Sequence, residues 1–161
     1  VYEPCRRRLY FAAPDTPVVC IEGGTACESR SSSVSDPTLA RLVVSETDRR
    51  PAIDVAKARM GIRDESSSGS VGLKLSLIAA GKRDLYINPT GNAKVWDTAA
   101  AQAILEAAGG RITDMTGRDL DYGGRDLWHR LGLVAASNER LHEAALRAVE
   151  PLASATDRIR E

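Results

Sequence analysis

Apolar positions along this chain fall into short blocks separated by polar runs, and the blocks have two periods. Uninterrupted apolar runs within Leu39–Val44, Leu85–Ile87 and Leu133–Ala136 predict buried strands. Helical spacing is found in four places. Ala52, Val55, Ala56 and Met60 follow Pro51, which suits a first helical turn, and Gly61 ends that helix. Val71, Leu75, Ile78 and Ala79 form a second face, stopped by Gly81. Ala100, Ala103, Ile104, Ala107 and Ala108 follow Asp97, and Gly109-Gly110 caps them. Leu141, Ala144, Ala145, Ala148, Val149 and Leu152 form the last stripe, with Ser137 or Asn138 as its cap and Glu139 in its positive first turn.

The remaining segments connect these blocks. Val1–Pro4 reads as the tail of a strand and Leu9–Ala13 as its hairpin partner. Ser29–Ser35 and Glu65–Gly69 read as exposed Ser-rich loops, and Thr90–Ala93 as a turn after Asn88-Pro89. A short strand and a glycine turn at Gly117 follow the glycine pair. Strands alternate with helices, so the expected class is α/β, in a layered α+β arrangement. Residues 1–152 are expected to form one domain unit and 153–161 a polar tail, with no internal repeat.

Composition narrows the function. Lys plus Arg and Asp plus Glu both number 22 in 161 residues, so the formal charge is zero and no nucleic acid polymer is expected as partner. Any anionic ligand must be held locally. Aromatic content of 4% implies an aliphatic core. Cys5, Cys20 and Cys27 are odd in number and lack metal-ligand spacing, which favours a reducing compartment over a disulfide framework, although Cys20 and Cys27 could pair in an oxidised sample. No segment is long and apolar enough for a membrane span and none reads as a signal peptide, so the expected location is cytoplasmic. The chain starts in what reads as mid-strand, which suggests the C-terminal part of a longer enzyme.

Three constellations can carry chemistry. Asp97 stands at the mouth of an apolar helix, where its carboxylate can cap the helix, bind a hard cation such as magnesium, or do both with its two oxygens. Ser66–Lys74 (Ser-Ser-Ser-Gly-Ser-Val-Gly-Leu-Lys) is a Gly/Ser loop entering a helix, able to offer N–H groups to an anion, with Lys74 one turn in; it lacks a Walker A ending. Val43–Asp48 delivers Ser45 and Thr47 at a strand end, where Ser45, Thr47 or Asp48 could instead start the next helix. Asp114 is expected to shape a turn. His129 and His142 are isolated, and no zinc set or Gly-x-Ser-x-Gly elbow is present.

These segments, taken in order, resemble a known family. Lys94–Asp121, with Trp96-Asp97-Thr98-Ala99-Ala100 and Ala108-Gly109-Gly110, resembles the second signature of the magnesium-dependent inositol monophosphatase superfamily. Val43–Asp48, Gly69–Lys74 and Ala80-Gly81 with Asp84-Leu85-Tyr86 extend the likeness to the C-terminal half of the 3'(2'),5'-bisphosphate nucleotidases, Lys74 favouring that branch. The resemblance implies the matching half of the layered sugar-phosphatase fold. It implies removal of the 3'-phosphate of adenosine 3',5'-bisphosphate with Mg2+, a reaction that belongs to sulfur assimilation. Asp97 would be a catalytic magnesium ligand that also touches substrate, and Ser70, Lys74, Ser45 and Thr47 would bind substrate.

Two departures qualify that implication. Glu46 and Asp48 stand where the family has Arg and His, which should weaken phosphate binding. The Gly-Glu-Glu and Asp-Pro-Ile-Asp-Gly-Thr motifs, which carry most of the family's metal ligands, are absent; Asp54 and Asp64-Glu65 lack their pattern. One carboxylate cannot hold the cations that phosphoryl transfer requires, so this chain alone is expected to lack appreciable activity. The alternatives are part of an inositol monophosphatase-like enzyme and a non-catalytic remnant or binding module. An uncovered surface, leading either to homo-oligomerisation or pairing or to poor solubility, is also expected.

Overall fold

The computed structural model describes residues 1–14, 16–47 and 50–157, with side chains as far as 150. β1 (Tyr2–Glu3), β2 (Arg8–Phe11), β3 (Val18–Glu22) and β4 (Thr25–Ser29) form an antiparallel sheet in chain order. Then follow β5 (Arg41–Ser45), α1 (Pro51–Met60), β6 (Asp64–Ser68), α2 (Val71–Ala79), β7 (Leu85–Asn88), α3 (Val95–Ala107), β8 (Arg111–Thr113), β9 (Leu133–Ala136) and α4 (Glu139–Asp157). The second sheet has the order β6-β5-β7-β9-β8. Its β6, β5 and β7 are parallel, and β9 and β8 run antiparallel to their neighbours.

The central strands β5, β7 and β9 of the second sheet are buried on both faces, which explains their unbroken apolar runs. Val43, Tyr86, Leu133 and Ala135 face a cluster that also holds Leu75 and Ile78 of α2, Ile104 and Leu105 of α3, and Tyr10, Val18 and Cys20 of the first sheet. Leu42, Val44, Leu85, Ile87, Val134 and Ala136 face α1 and α4. The layers are therefore sheet, α2 with α3, sheet, α1 with α4. On its outer side the first sheet leaves Tyr2, Leu9 and Phe11 exposed, and these sit on one face by register.

Several segments differ from expectation. The hairpin of β3 and β4 was not anticipated, because β4 is almost wholly exposed and shows no alternation. Glu65–Gly69 is not a loop: Asp64–Ser68 is β6, an edge strand that pairs with β5 from Arg41↔Asp64 to Ser45↔Ser68. Its serines are tolerated because one side of the strand is free. The run Ser29–Ser35 is tied down as well. Ser31 donates to the Ala108 carbonyl at 2.8 Å, and Ser32 donates to the Asp84 carboxylate.

Two helices are rotated from the expected phase. α1 buries Ile53, Ala56 and Met60 and leaves Val55 exposed. α3 starts at Val95 and buries Thr98, Ala101, Ile104 and Leu105, while Ala100, Ala103 and Ala107 face out. An alanine-rich helix has little phase information of its own, and its two bulky aliphatics decide. At its end Gly109 has φ +94°, and a Cβ on Gly110 would lie 2.3 Å from Leu105 Cδ1 and 2.8 Å from the Ala136 carbonyl. The pair thus answers two demands, a left-handed turn and close approach to β9. Asn138 caps α4, its Oδ1 accepting the Leu141 N–H at 3.1 Å. Asp114 shapes its turn by accepting the Thr116 and Arg118 N–H groups at 2.8 and 3.0 Å.

Asp84 is fully buried and holds the frame together. Its Oδ2 accepts the Arg41 N–H at 2.8 Å and Arg41 Nε at 2.7 Å, and its Oδ1 accepts Arg41 Nη2 at 2.9 Å. Burial pushes the carboxyl up, but the Arg41 and Ser32 hydrogen bonds outweigh it and hold the carboxyl below its ordinary 3.8. Its contribution is therefore complete above about pH 4 and is lost as pH falls through the depressed value. Replacing Asp84 with Ala should cost about 3 kcal/mol in urea unfolding, the low end for a buried pair, because Arg41 keeps 34% of its side chain exposed. An unchanged unfolding midpoint would remove Asp84 from this role.

Candidate active site

The three parallel strands deliver their C-terminal ends side by side. Ser45 ends β5, directly opposite Ser68 at the end of β6, and Asn88 ends β7 on the other side of β5. From Ser68 the chain passes through Gly69 and Ser70 into α2. Ser70 is the N-cap, its Oγ accepting the Leu73 N–H at 3.1 Å. The first N–H groups of α2 have no acceptor within the helix and point out of its N-terminus.

The start of α3 lies beside the start of α2. A Cβ on Gly72 would stand 3.6 Å from the Asp97 carbonyl oxygen and 3.9 Å from Ala101 Cβ. Asp97 is exposed in the first turn of α3. Its Oδ2 accepts the Lys94 backbone N–H at 2.9 Å, and its own N–H donates to the Lys94 carbonyl at 2.9 Å. Oδ1 has no hydrogen-bond partner among the described residues. Capping thus occupies one oxygen and leaves the other without a hydrogen bond from the described residues.

The other expected residues are placed as follows. Ser45 is half-buried and Thr47 exposed in the bend after β5. Neither caps α1, whose N-cap is Arg50. Glu46 is exposed in the same bend, close enough to Lys74 to favour its charged form. Asp48 lies outside the described residues.

Lys74 differs most from expectation. It is 1% exposed, and its Nζ donates to the Ser68 carbonyl at 3.3 Å and to the Gly69 carbonyl. The ammonium also stands 5.1 Å from the centre of the Tyr86 ring. Lys74 therefore grips the β6–α2 loop from beneath, with its charge on backbone oxygens and an aromatic face. Burial pulls its pKa down from 10.5 to about 8, and Glu46 opposes this only in part.

Behind Asp97 lies a polar cluster that sequence reasoning missed. Thr98 is buried, and its Oγ1 is 2.8 Å from His129 Nε2. Tyr122 Oη lies 3.0 Å from Thr98 Oγ1 and donates to Gln102 Oε1 at 2.6 Å, and its ring meets His129 edge-on at 5.8 Å. The His129 backbone donates to the Ala93 carbonyl at 2.8 Å. Burial lowers the His129 pKa, with Asp97 opposing, so the neutral ring is the form held there. The signal was the residue after Asp97: a threonine at the buried phase of a helix needs a partner. Lys94 sits over Trp96 and Trp128, at 5.0 and 4.4 Å from the ring centres, and joins this cluster to the surface.

The residues present do not by themselves make a magnesium site. A hard dication takes about six oxygens, and among the described residues no group of three His, Cys, Asp or Glu side chains could hold a metal. Asp97 offers one free oxygen. Among the described residues, no helix is long and apolar enough to cross a membrane.

Comparison with known proteins shows the family and the fold of this chain. The model of the inositol monophosphatase family matches residues 1–154. A 3'(2'),5'-bisphosphate nucleotidase, CysQ, of Salmonella typhimurium is 33% identical over 132 residues, covering 78% of this chain and 49% of that protein. A fructose-1,6-bisphosphatase/inositol-1-monophosphatase of Methanothermobacter thermautotrophicus is 38% identical over 82 residues, covering 51% of this chain and 29% of that protein. Inositol monophosphatase-II from Staphylococcus aureus superposes with a TM-score of 0.75 at 19% identity, over 98% of this chain and 56% of that one. The chain spans about half the length of such relatives, or less.

The Lys74 geometry has a measurable consequence. Its folded pKa lies below the unfolded value, so the unfolded chain holds more protons between about pH 8 and 10.5, and stability should rise with pH across that window. In urea unfolding at pH 7.5 and pH 10, the difference between the protein and Lys74→Met should show this rise in the wild type only. Parallel pH profiles would mean that the Lys74 ammonium is solvated.

Proposed function

This chain belongs to the inositol monophosphatase family, and from that premise we propose that it contributes one wall of the active site of a phosphomonoesterase of the bisphosphate nucleotidase type. The observation that carries the proposal is the junction of two helix starts at the strand ends: α2 with Ser70, and α3 with Asp97, one carboxylate oxygen of which is free. The reaction is hydrolysis of a phosphate ester, in which water attacks phosphorus, the ester P–O bond breaks and an alcohol leaves.

Each residue has a distinct task in this reading. The N–H groups at the start of α2 and the Ser70 hydroxyl offer hydrogen bonds to a phosphate, aided by the helix dipole. Ser45 and Thr47 flank the same strand ends. Lys74 holds the Ser68–Gly69 turn from below, so its charge acts on the phosphate through the loop. Asp97 Oδ1 would be one of several magnesium ligands, the others coming from outside these 161 residues. Magnesium would supply charge neutralisation and a more acidic water. Glu46 lies beside this wall and disfavours a second negative charge there.

The substrate proposed first is adenosine 3',5'-bisphosphate, supported by the likeness to bisphosphate nucleotidases over three quarters of the chain. The 38% identity to a fructose-1,6-bisphosphatase/inositol-1-monophosphatase favours a second reading, a sugar or inositol phosphate. A cytoplasmic place and a role in sulfur assimilation belong to the first reading. Association through an uncovered surface belongs to both. It is supported by Tyr2 and Phe11, 57% and 40% exposed on the outer face of the first sheet, and sedimentation at rising concentration tests it.

Phosphate release from adenosine 3',5'-bisphosphate, fructose 1,6-bisphosphate and inositol 1-phosphate separates these readings in a polypeptide that carries the preceding metal motifs. There, Asp97→Asn should keep the cap and unfold within about 0.5 kcal/mol of wild type, yet lose at least a hundredfold in magnesium-dependent rate. The 161-residue chain should release no phosphate above background. Rapid magnesium-dependent release by that chain, or full activity of Asp97→Asn, would overturn the assignment.

A further inference from the structure

The antiparallel register of β3 and β4 sets Cys20 directly opposite Cys27, on the same side of the sheet. Both are free thiols, Cys20 buried at 7% exposure and Cys27 exposed. Gly23 and Gly24, at φ +59° and +85°, form the two-residue turn that closes on the pair Glu22–Thr25. Pair types alternate from there, so Cys20–Cys27 is again a hydrogen-bonded pair, with Cα atoms about 5.5 Å apart. That spacing is inside the roughly 4.4–6.8 Å that disulfides span. The Cβ atoms of such a pair are about 5 Å apart, against about 3.8 Å in a disulfide. One strand must therefore move inward by about an ångström. β4 is the strand that can: it is an edge of its sheet, and four of its five residues are exposed.

We propose that Cys27 and Cys20 form a thiol modification site, at which a small disulfide such as oxidised glutathione is reduced and a reversible cross-strand bond is made between β3 and β4. The exposed Cys27 thiolate attacks one sulfur of the small disulfide, forming a mixed disulfide and expelling one thiolate. The Cys20 thiolate then attacks the Cys27 sulfur, forming the Cys20–Cys27 bond and expelling the second thiolate. Two cysteines are oxidised, one disulfide is reduced to two thiols, and the two cysteine protons pass to the expelled thiolates. The order follows from access, because of these two thiols only that of Cys27 is exposed to small disulfides, and burial pushes the Cys20 thiol up. The Lys82 and Arg8 charges act in the opposite sense on Cys20 and favour the thiolate that the second step needs. The inward shift leaves the bond strained, so it should be reduced readily.

Cys5 is exposed and is best removed for the test. In Cys5→Ser, incubation with oxidised glutathione should take titratable thiols from two to none. The intact mass should fall by two hydrogens, with no glutathione retained, and digestion should yield one peptide pair joining Cys20 to Cys27. Adding Cys20→Ser should trap glutathione on Cys27, and adding Cys27→Ser should leave Cys20 unmodified in the folded protein. Mild thiol should restore both cysteines in Cys5→Ser. A glutathione adduct that persists at Cys27 when Cys20 is present, or two thiols surviving the oxidant, would overturn the site. Cys27→Ser alters only an exposed edge position, so its result does not depend on a damaged fold.

Discussion

A single buried carboxylate sets the frame on which the rest of this structure is built. Asp84 has no exposed surface, yet it carries a charge, and burial of an unpaired charge is not sustainable. The solution fixes three parts of the chain at once. Arg41 at the start of β5 supplies both a backbone N–H and its guanidinium, and Ser32 supplies a hydroxyl from the connection that leaves the first sheet. The Ser137 N–H donates to the Asp84 backbone carbonyl at 2.9 Å, at the end of β9. The starts of β5 and β7 are therefore locked in register, and so are their far ends, where Ser45 and Asn88 emerge.

The candidate site depends on that lock, because it is assembled from ends. Strand ends place Ser45 and Ser68, and helix starts place Ser70 and Asp97. Polar groups concentrate at such positions because backbone N–H groups there have no internal partner. Lys74 and the cluster of Thr98, His129 and Tyr122 work on the inner side of the same surface. One grips the loop before α2, and the other holds the first turn of α3 against the segment around Ala93. Reactive groups face out while their supports are buried, which is how a site is kept rigid without being closed.

Much of this was legible in the chain. The central strands β5, β7 and β9 were readable because burial on both faces leaves unbroken apolar runs, as in Leu42-Val43-Val44 and Leu133-Val134-Ala135-Ala136. Helix ends were readable where one residue type solves a local problem: Pro51, Gly61, Asn138 and the Gly109-Gly110 pair. The family likeness came from the order of such residues around Asp97. By contrast, β6 was invisible, since Glu-Ser-Ser-Ser has no apolar period and becomes a strand only because β5 offers it a ladder. The phase of α3 was misjudged for a related reason, alanine fitting either face.

What the sequence determined by itself was the list of elements with strong local signals, the family, and the place of Asp97 at the mouth of a helix, all legible from residues close together in the chain. Tertiary structure alone decided where side chains of mixed character point. Lys74 looked like a cation for an anion, because a lysine after a Gly/Ser loop is free to reach outward. The packing of α2 between two sheets closed that route, and its ammonium turned to the Ser68 and Gly69 carbonyls and the Tyr86 ring. His129 looked isolated along the chain, and its partner Thr98 stands 31 residues earlier. The physical reason is the same in both cases: a buried polar group must find its partner in space, and sequence spacing carries no record of which one it finds.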